Sequence, residues 1–249
     1  MNFFKTHILW ISAGVCVIAL LAGGAYHFRR VIFPPPVPPP VRVTFIEGIT
    51  VQKAATQIAS AFSTISIAEF ISAGQPYEGY LFPDTYLFLQ SADADSIVKT
   101  MRANFETKIA PLSAQINASG HSLSDIVIMA SLVEKEARTS VNRRIVAGIL
   151  WHRLALGMPL QVDAVFGYIF NRDTYSPSFA DLKTESPYNL YLHKGLPPTP
   201  IDNPGLDSLD AAISPTKTNY LYYLTGSDNL MHYASTYAAH QANQRKYLP

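Results

Sequence analysis

Hydrophobic and polar positions change rhythm several times along the chain. Residues 8–26, "ILWISAGVCVIALLAGGAY", carry no charge, and an apolar run of this length crosses a bilayer core as a helix. Trp10 and Tyr26 stand near its two ends, where aromatic rings favour the membrane interface. The run predicts a retained single-pass anchor in membrane lipid, with residues 1–7 left as a cytoplasmic N-terminus. Lys5 precedes it, while Arg29 and Arg30 follow it, so flanking charge alone does not set the orientation. "FPPPVPPPV", residues 33–41, predicts an extended polyproline spacer, because proline lacks the amide hydrogen that a helix or central strand requires. Residues 27–42 therefore read as a linker that holds a domain off the membrane.

Past the linker the pattern becomes that of an ordinary folded domain. "VRVTFIEG", residues 41–48, alternates apolar and polar positions like a strand and turns at Gly48. In "TVQKAATQIASAF", residues 50–62, Val51, Ala54, Ala55, Ile58 and Phe62 recur at helical spacing behind Thr50, a helix-capping residue. "YEGYLFPDTYLF", residues 77–88, reads as a loop that turns at Pro83-Asp84 and enters a short strand. "ADSIVKTMRANFETKIAPL", residues 94–112, predicts an amphipathic helix stopping at Pro111.

Residues 121–138 give the best-specified helix. Ser122 and Asp125 have capping-box spacing, and Ile126, Met129, Ala130, Val133 and Ala137 form one apolar stripe. A second helix, "VNRRIVAGILWHRLALG", closes at Gly157 with Pro159 just beyond. From Leu160 the chain reads as loop-rich and proline-rich, with short strands at 220–225 and 230–233 and a closing helix in "STYAAHQANQRKYL". Helices and short strands in this mixture predict an α+β fold.

Composition narrows the chemistry. Of the 249 residues 48% are hydrophobic and only 15% charged, which excludes a disordered tail as the bulk of the chain. Lys and Arg number 19 against 18 Asp and Glu, a balance that gives no electrostatic reason to expect nucleic acid as a partner. Seven His lack ligand spacing and Cys16 is the single cysteine, so no metal site and no cofactor are expected.

The candidate chemistry lies in "IVIMASLVEKEAR", residues 126–138, where an apolar helix acquires Glu134 and Glu136. Residues two apart on an ideal helix are separated by about 200°. With the stripe centred near Val133, the two carboxylates fall about 80° to either side. Periodicity does not choose between them. Ala130, Ser131 and Ala137 leave room around Glu134, a slight preference for that residue. A carboxyl withdrawn from water keeps its proton to higher pH, and it can then donate that proton to a leaving oxygen in glycosidic cleavage. Asp163 in "LQVDAVFGY" is a candidate second carboxylate.

Several blocks in fixed order carry a resemblance: "FIEGITVQKAATQIA", "EGYLFPDTY", "MASLVEKEA", "ILWHRLALGMPLQVD", "SPYNLYLHKGLPPTPIDNPG" and "AAISPTKTNYLYYL". From about Phe45 to the C-terminus the chain resembles the membrane-anchored endolytic murein transglycosylases, the MltG or YceG-like family. The resemblance implies a reduced LysM-like module at residues 43–76, packed on a mixed helix and short-strand catalytic domain at 77–249. It also implies an inner-membrane location with the catalytic domain on the periplasmic or extracellular side.

The implied activity is a lytic transglycosylase that cuts the β-1,4 bond between N-acetylmuramic acid and N-acetylglucosamine, leaves 1,6-anhydro ends and so terminates nascent glycan strands. Peptidoglycan strands are then the substrate and peptidoglycan synthases candidate partners. Glu134, the first Glu of "VEKE", is implied as the catalytic acid. Gln161 and Asp163 match the family's "LQxD" and are implied in sugar binding or site orientation. Tyr188 and Asn189 offer an aromatic face and an amide to a pyranose. His232 falls near a late family histidine, and Glu136 and Glu78 are expected as supporting carboxylates. Ala164 stands where the family has proline after the "LQxD" aspartate. A hydrolytic muramidase using Glu134 with Asp163, and a non-catalytic wall-binding or synthase-docking protein, are the alternative readings.

Overall fold

The computed structural model describes residues 20–24, 38–172 and 176–248. Residues 20–24 are helical; the remainder of the expected 8–26 anchor, and most of the 27–42 linker, lie outside the described residues. Among the described residues no helix is long and apolar enough to cross a membrane.

Pro40–Pro249 form one compact unit. Strand β1 (Val41–Thr44) pairs antiparallel with β2 (Thr85–Phe88), Val41 opposite Phe88 and Thr44 opposite Thr85. Between them lie helices α1 (Val51–Ala61) and α2 (Ile67–Gly74). Thr50 caps α1 as expected, its hydroxyl accepting from the Lys53 amide at 3.3 Å. Ser66 and Glu69 close a reciprocal capping box on α2, a helix that periodicity alone did not predict. Val51, Ala54, Ala55 and Ile58 are fully buried, and each aliphatic side chain the size of Val or Ile buried this way contributes about 1.5–3 kcal/mol. This first apolar cluster also takes in Leu81, Tyr86 and Phe88, and then Ile97, Val98 and Met101 of α3 (Ala94–Ile109). It therefore runs across residue 76, and β2 completes the strand pair that β1 begins.

A tight turn containing Pro111 and the short helix α4 (Ser113–Ser119) lead to the second cluster. Its centre is α5 (Leu123–Glu136), capped by Ser122. Every residue from Ile126 to Val133 is buried, so α5 is covered all round rather than along one stripe. It packs on α6 (Ser140–Ala155), α7 (Ala164–Ile169) and α8 (Leu206–Ile213). The last two fall in the stretch expected to be loop. The two expected short strands, β3 (Tyr222–Thr225) and β4 (Met231–Ala234), pair as a hairpin, against which α9 (Tyr237–Tyr247) packs. The result is a mixed α and β architecture with short antiparallel strands.

Two loops are drawn together where the clusters meet. Gly79 has φ +89°, and a Cβ there would come within 2.4 Å of Pro200, so only glycine allows the loop after α2 to lie against the proline-rich 195–205 segment. Asn203, 1% exposed, makes the junction rigid. Its amide oxygen accepts from the Gly79 and Leu81 amides at 2.9 and 2.8 Å, and its nitrogen donates to the Ile49 carbonyl at 2.9 Å and to Glu78 at 3.0 Å.

Candidate active site

Helix α5 ends at Glu136, because Ala137 is already extended at φ −138°, ψ 139°. Glu136 is therefore a terminal residue facing what packs beyond the helix end, not one flank of a continuing stripe. The Tyr223 hydroxyl on β3 donates to its Oε2 at 2.9 Å. Asp163, which precedes α7, and the Ala164 amide lie beside the same carboxyl. Burial pushes Glu136 up to about 7, and the charge of Asp163 pushes in the same direction; the Tyr223 and Ala164 hydrogen bonds and the Arg153 charge pull the other way. A carboxyl balanced there holds a proton at neutral pH and also releases it, which suits alternating acid and base work.

Glu136 and Asp163 line two depressions. One, of about 440 Å³, is bounded by Thr50, Lys53, Glu78, Lys135 and Tyr168. The other, of about 400 Å³, is bounded by Gln161, Tyr191, Tyr222, Tyr223 and His240. The two meet at the paired carboxylates, so an extended ligand crossing both would pass Glu136 at its middle. Tyr191 donates to Asp163 at 2.5 Å and fixes its carboxylate. Gln161 is held at φ 51°, a left-handed conformation uncommon away from glycine and concentrated at functional sites. Arg153 of α6, 6% exposed, donates to the Leu221 and Leu160 carbonyls at 2.6 and 2.7 Å. It thereby ties the chain just before Gln161 to the start of β3, fixing the spacing between Asp163 and Tyr223.

Glu134 is placed differently. Its side chain is 5% exposed; Oε1 accepts from Arg143 at 2.7 Å and Oε2 from the Gly205 amide at 3.0 Å. Arg143 also donates to Asp207 at 2.8 Å. Glu134 thus joins α5 to α6 and to the N-terminal end of α8, where negative charge is favoured, and it lines neither depression.

Of the other expected residues, Gln161, Asp163, Glu136 and Glu78 converge on the cleft. Asn189 does not: it is fully buried, donating to the Leu182 and Thr184 carbonyls and accepting from the Tyr191 amide, with no surface left for a sugar. These bonds fix the loop that carries it. Tyr188 bonds Thr199 at 2.6 Å and packs on Tyr168, outside both depressions. His232 stacks on Tyr247 and pairs with Asp228 at 3.0 Å, likewise outside them. Tyr223, Tyr191 and Arg153 were not anticipated; for Tyr223 the aromatic run in "NYLYYL" was the available signal.

Glu78, 4% exposed, accepts from the Val51 amide with both oxygens at 3.1 Å, yet burial pushes it up to about 7. Glu78 and Glu136 thus bind protons more tightly folded than at the ordinary Glu value of 4.5. The stability this gives is complete below about pH 4.5 and is lost as pH rises through about 7. The melting temperature is expected to fall between pH 5 and pH 8, each group contributing on the order of 3 kcal/mol. Glu78→Gln should flatten the curve, as measured by calorimetry across that range.

The model of the YceG-like family matches residues 25–246. The chain is 34% identical over 174 residues to the endolytic murein transglycosylase of Bacillus subtilis, covering 70% of this chain and 48% of that protein. It is 32% identical over 177 residues to the endolytic murein transglycosylase of Streptococcus pneumoniae, covering 69% of this chain and 32% of that protein. The chain thus spans about half the length of the first relative and about a third of the second. A crystal structure of a yceG-like protein from Listeria monocytogenes superposes with a TM-score of 0.75 at 28% identity, covering 82% of this chain and 76% of that one.

Proposed function

The chain belongs to the YceG-like family, and on that premise we propose that it is a peptidoglycan lytic transglycosylase whose acid and base is Glu136. The observation that carries this reading is the position of Glu136 where two depressions meet, its carboxyl at about 7 under the Tyr223 hydroxyl. Protonated Glu136 gives its proton to the glycosidic O4 as the muramyl C1–O4 bond breaks. The resulting carboxylate takes the proton of the muramyl C6 hydroxyl, whose oxygen closes onto C1. No water is consumed, and a 1,6-anhydro end results. Asp163, oriented by Tyr191, supplies a negative charge beside the cationic sugar ring that develops between these steps. Glu134, assigned the acid's role by its place in "VEKE", becomes in this reading the anchor of Arg143.

The module at residues 43–76, read as LysM-like, contributes Thr50, Gln52 and Lys53 to the cleft and so belongs to glycan binding. The apolar 8–26 run and its proline spacer complete the proposal as an inner-membrane anchor. They hold the domain on the periplasmic or extracellular side, beside the synthases whose strands it terminates.

Asp163 next to Glu136 also favours a second reading, hydrolysis with two carboxylates. Mass spectrometry of the products from uncrosslinked strands separates the two, since hydrolysis leaves reducing ends one water heavier. In the transglycosylase reading kcat/KM declines as pH rises through about 7, where Glu136 loses its proton. Tyr223→Phe removes a bond that favours the charged form, so the alkaline limb is expected about one pH unit higher, with a lower maximal rate. A pH–rate profile of both proteins checks this.

A further inference from the structure

The arm of the cleft bounded by β3 and α9 holds a histidine that bond cleavage does not use. His240 lies in the first turn of α9 and lines the depression of about 400 Å³, as does Gln244 one turn further along the same helix face. Its ring stacks on Tyr222 of β3, with centroids 5.2 Å apart and planes 23° from parallel, and Tyr237 stands 6.5 Å away. The Arg153 guanidinium lies 5.2 Å from the centre of the same Tyr222 ring. Burial and the Arg153 charge hold the imidazole below its usual range, so it is predominantly neutral at pH 7.

A neutral imidazole carries one N–H and one bare nitrogen. Nδ1 is enclosed by protein and has no hydrogen-bond partner among the described residues. A buried N–H without an acceptor is costlier than a buried bare nitrogen, so the hydrogen belongs on Nε2. That nitrogen, at the far end of the ring, is the donor that His240 presents to the cleft it lines. The charged groups bounding this arm are Glu136, Asp163 and Arg153. Two acids stand against one cation, and Arg153 already donates to the Leu221 and Leu160 carbonyls, so an anion gains little here. A neutral group that joins a hydrogen-bond acceptor to an apolar end fits better. An acetamido group is of this kind: its carbonyl oxygen accepts an N–H, and its methyl packs on a tyrosine face.

We propose that His240 recognises an N-acetyl group of the glycan strand, Nε2–H donating to the acetamido carbonyl while Tyr222 and Tyr237 pack against the methyl. This rests on the murein-cleaving reading above. The acetamido group has two sources, the glucosamine and the muramyl units on either side of the cleaved bond.

The test is equilibrium binding of soluble uncrosslinked strands to the full chain, made in a Glu136→Gln background so that strands stay intact. His240→Phe keeps a ring against Tyr222 without the N–H, and His240→Gln returns an amide N–H near the place of Nε2. Both are compared with the parent on fully N-acetylated strands, strands de-N-acetylated at glucosamine, and strands de-N-acetylated at the muramyl unit. His240→Phe is expected to weaken binding of N-acetylated strands about tenfold, with His240→Gln close to the parent. On strands lacking the recognised acetyl group, the parent and His240→Phe should bind alike, since the ammonium left by deacetylation is common to both measurements. The strand on which the difference vanishes identifies which unit His240 reads. Unchanged binding of N-acetylated strands by His240→Phe, or equal loss on all three strands, would overturn the proposal. Binding is read apart from turnover, so absence of cleavage by the unaltered chain sinks the activity reading alone.

Discussion

Glu136→Gln is expected to lower kcat/KM on uncrosslinked glycan strands by roughly a thousandfold or more, within the range that a positioned acid and base contributes. The amide keeps the size of the side chain and can still accept from Tyr223, so the Tyr223 contact seen at 2.9 Å should persist. What it lacks is a transferable proton. Both halves of the proposed reaction need one, first towards O4 and then away from the C6 hydroxyl, so neither half survives. Folding should be retained or improved above pH 7, because the replaced carboxyl is one whose ionisation in the folded state burial disfavours. A melting curve beside the kinetics separates lost chemistry from lost structure.

Asn203→Ala is expected to produce the largest stability effect. The side chain makes four hydrogen bonds, to the amides of Gly79 and Leu81, the carbonyl of Ile49 and the carboxyl of Glu78. All four are buried; truncation leaves the Gly79 and Leu81 amides without an acceptor, while the Ile49 carbonyl keeps the Asn203 backbone amide and Glu78 keeps the Val51 amide. An unsatisfied buried group costs about 1–3 kcal/mol, and partial relaxation or entry of water recovers part of that. A net loss of about 3–5 kcal/mol follows, which for a unit of this size lowers the melting temperature by roughly 10 °C. Denaturant unfolding with an unchanged slope would attribute the loss to the native state. A change within a degree or two would mean that the junction between the first cluster and the 195–205 loop is held by other contacts.

The sequence made some of this architecture legible and hid the rest for physical reasons. Helices α1, α3, α5 and α6 were readable because each spans three turns or more and begins at a capping residue, Thr50, Asp93, Ser122 or Thr139. Helices α7 and α8, of 6 and 8 residues, are too short to display a period. The pairing of β1 with β2 joins residues 41 positions apart, such as Thr44 and Thr85, and no local pattern encodes it. The choice between Glu134 and Glu136 shows the limit most clearly. Wheel geometry treats both as positions on an endless helix, whereas α5 stops at Glu136, and what each carboxyl faces depends on β3, α6 and α8. Gln161 and Asp163 of the "LQVD" block line the cleft. In "SPYNLY" the Asn189 amide serves the loop that carries it, a contact no local pattern encodes.

The most direct test is to quantify 1,6-anhydromuramyl ends released from uncrosslinked strands by the unaltered chain, by Glu134→Gln and by Glu136→Gln, each checked for folding. Such ends are expected from the first two and none from Glu136→Gln. Anhydro ends persisting in Glu136→Gln and vanishing in a folded Glu134→Gln would contradict it.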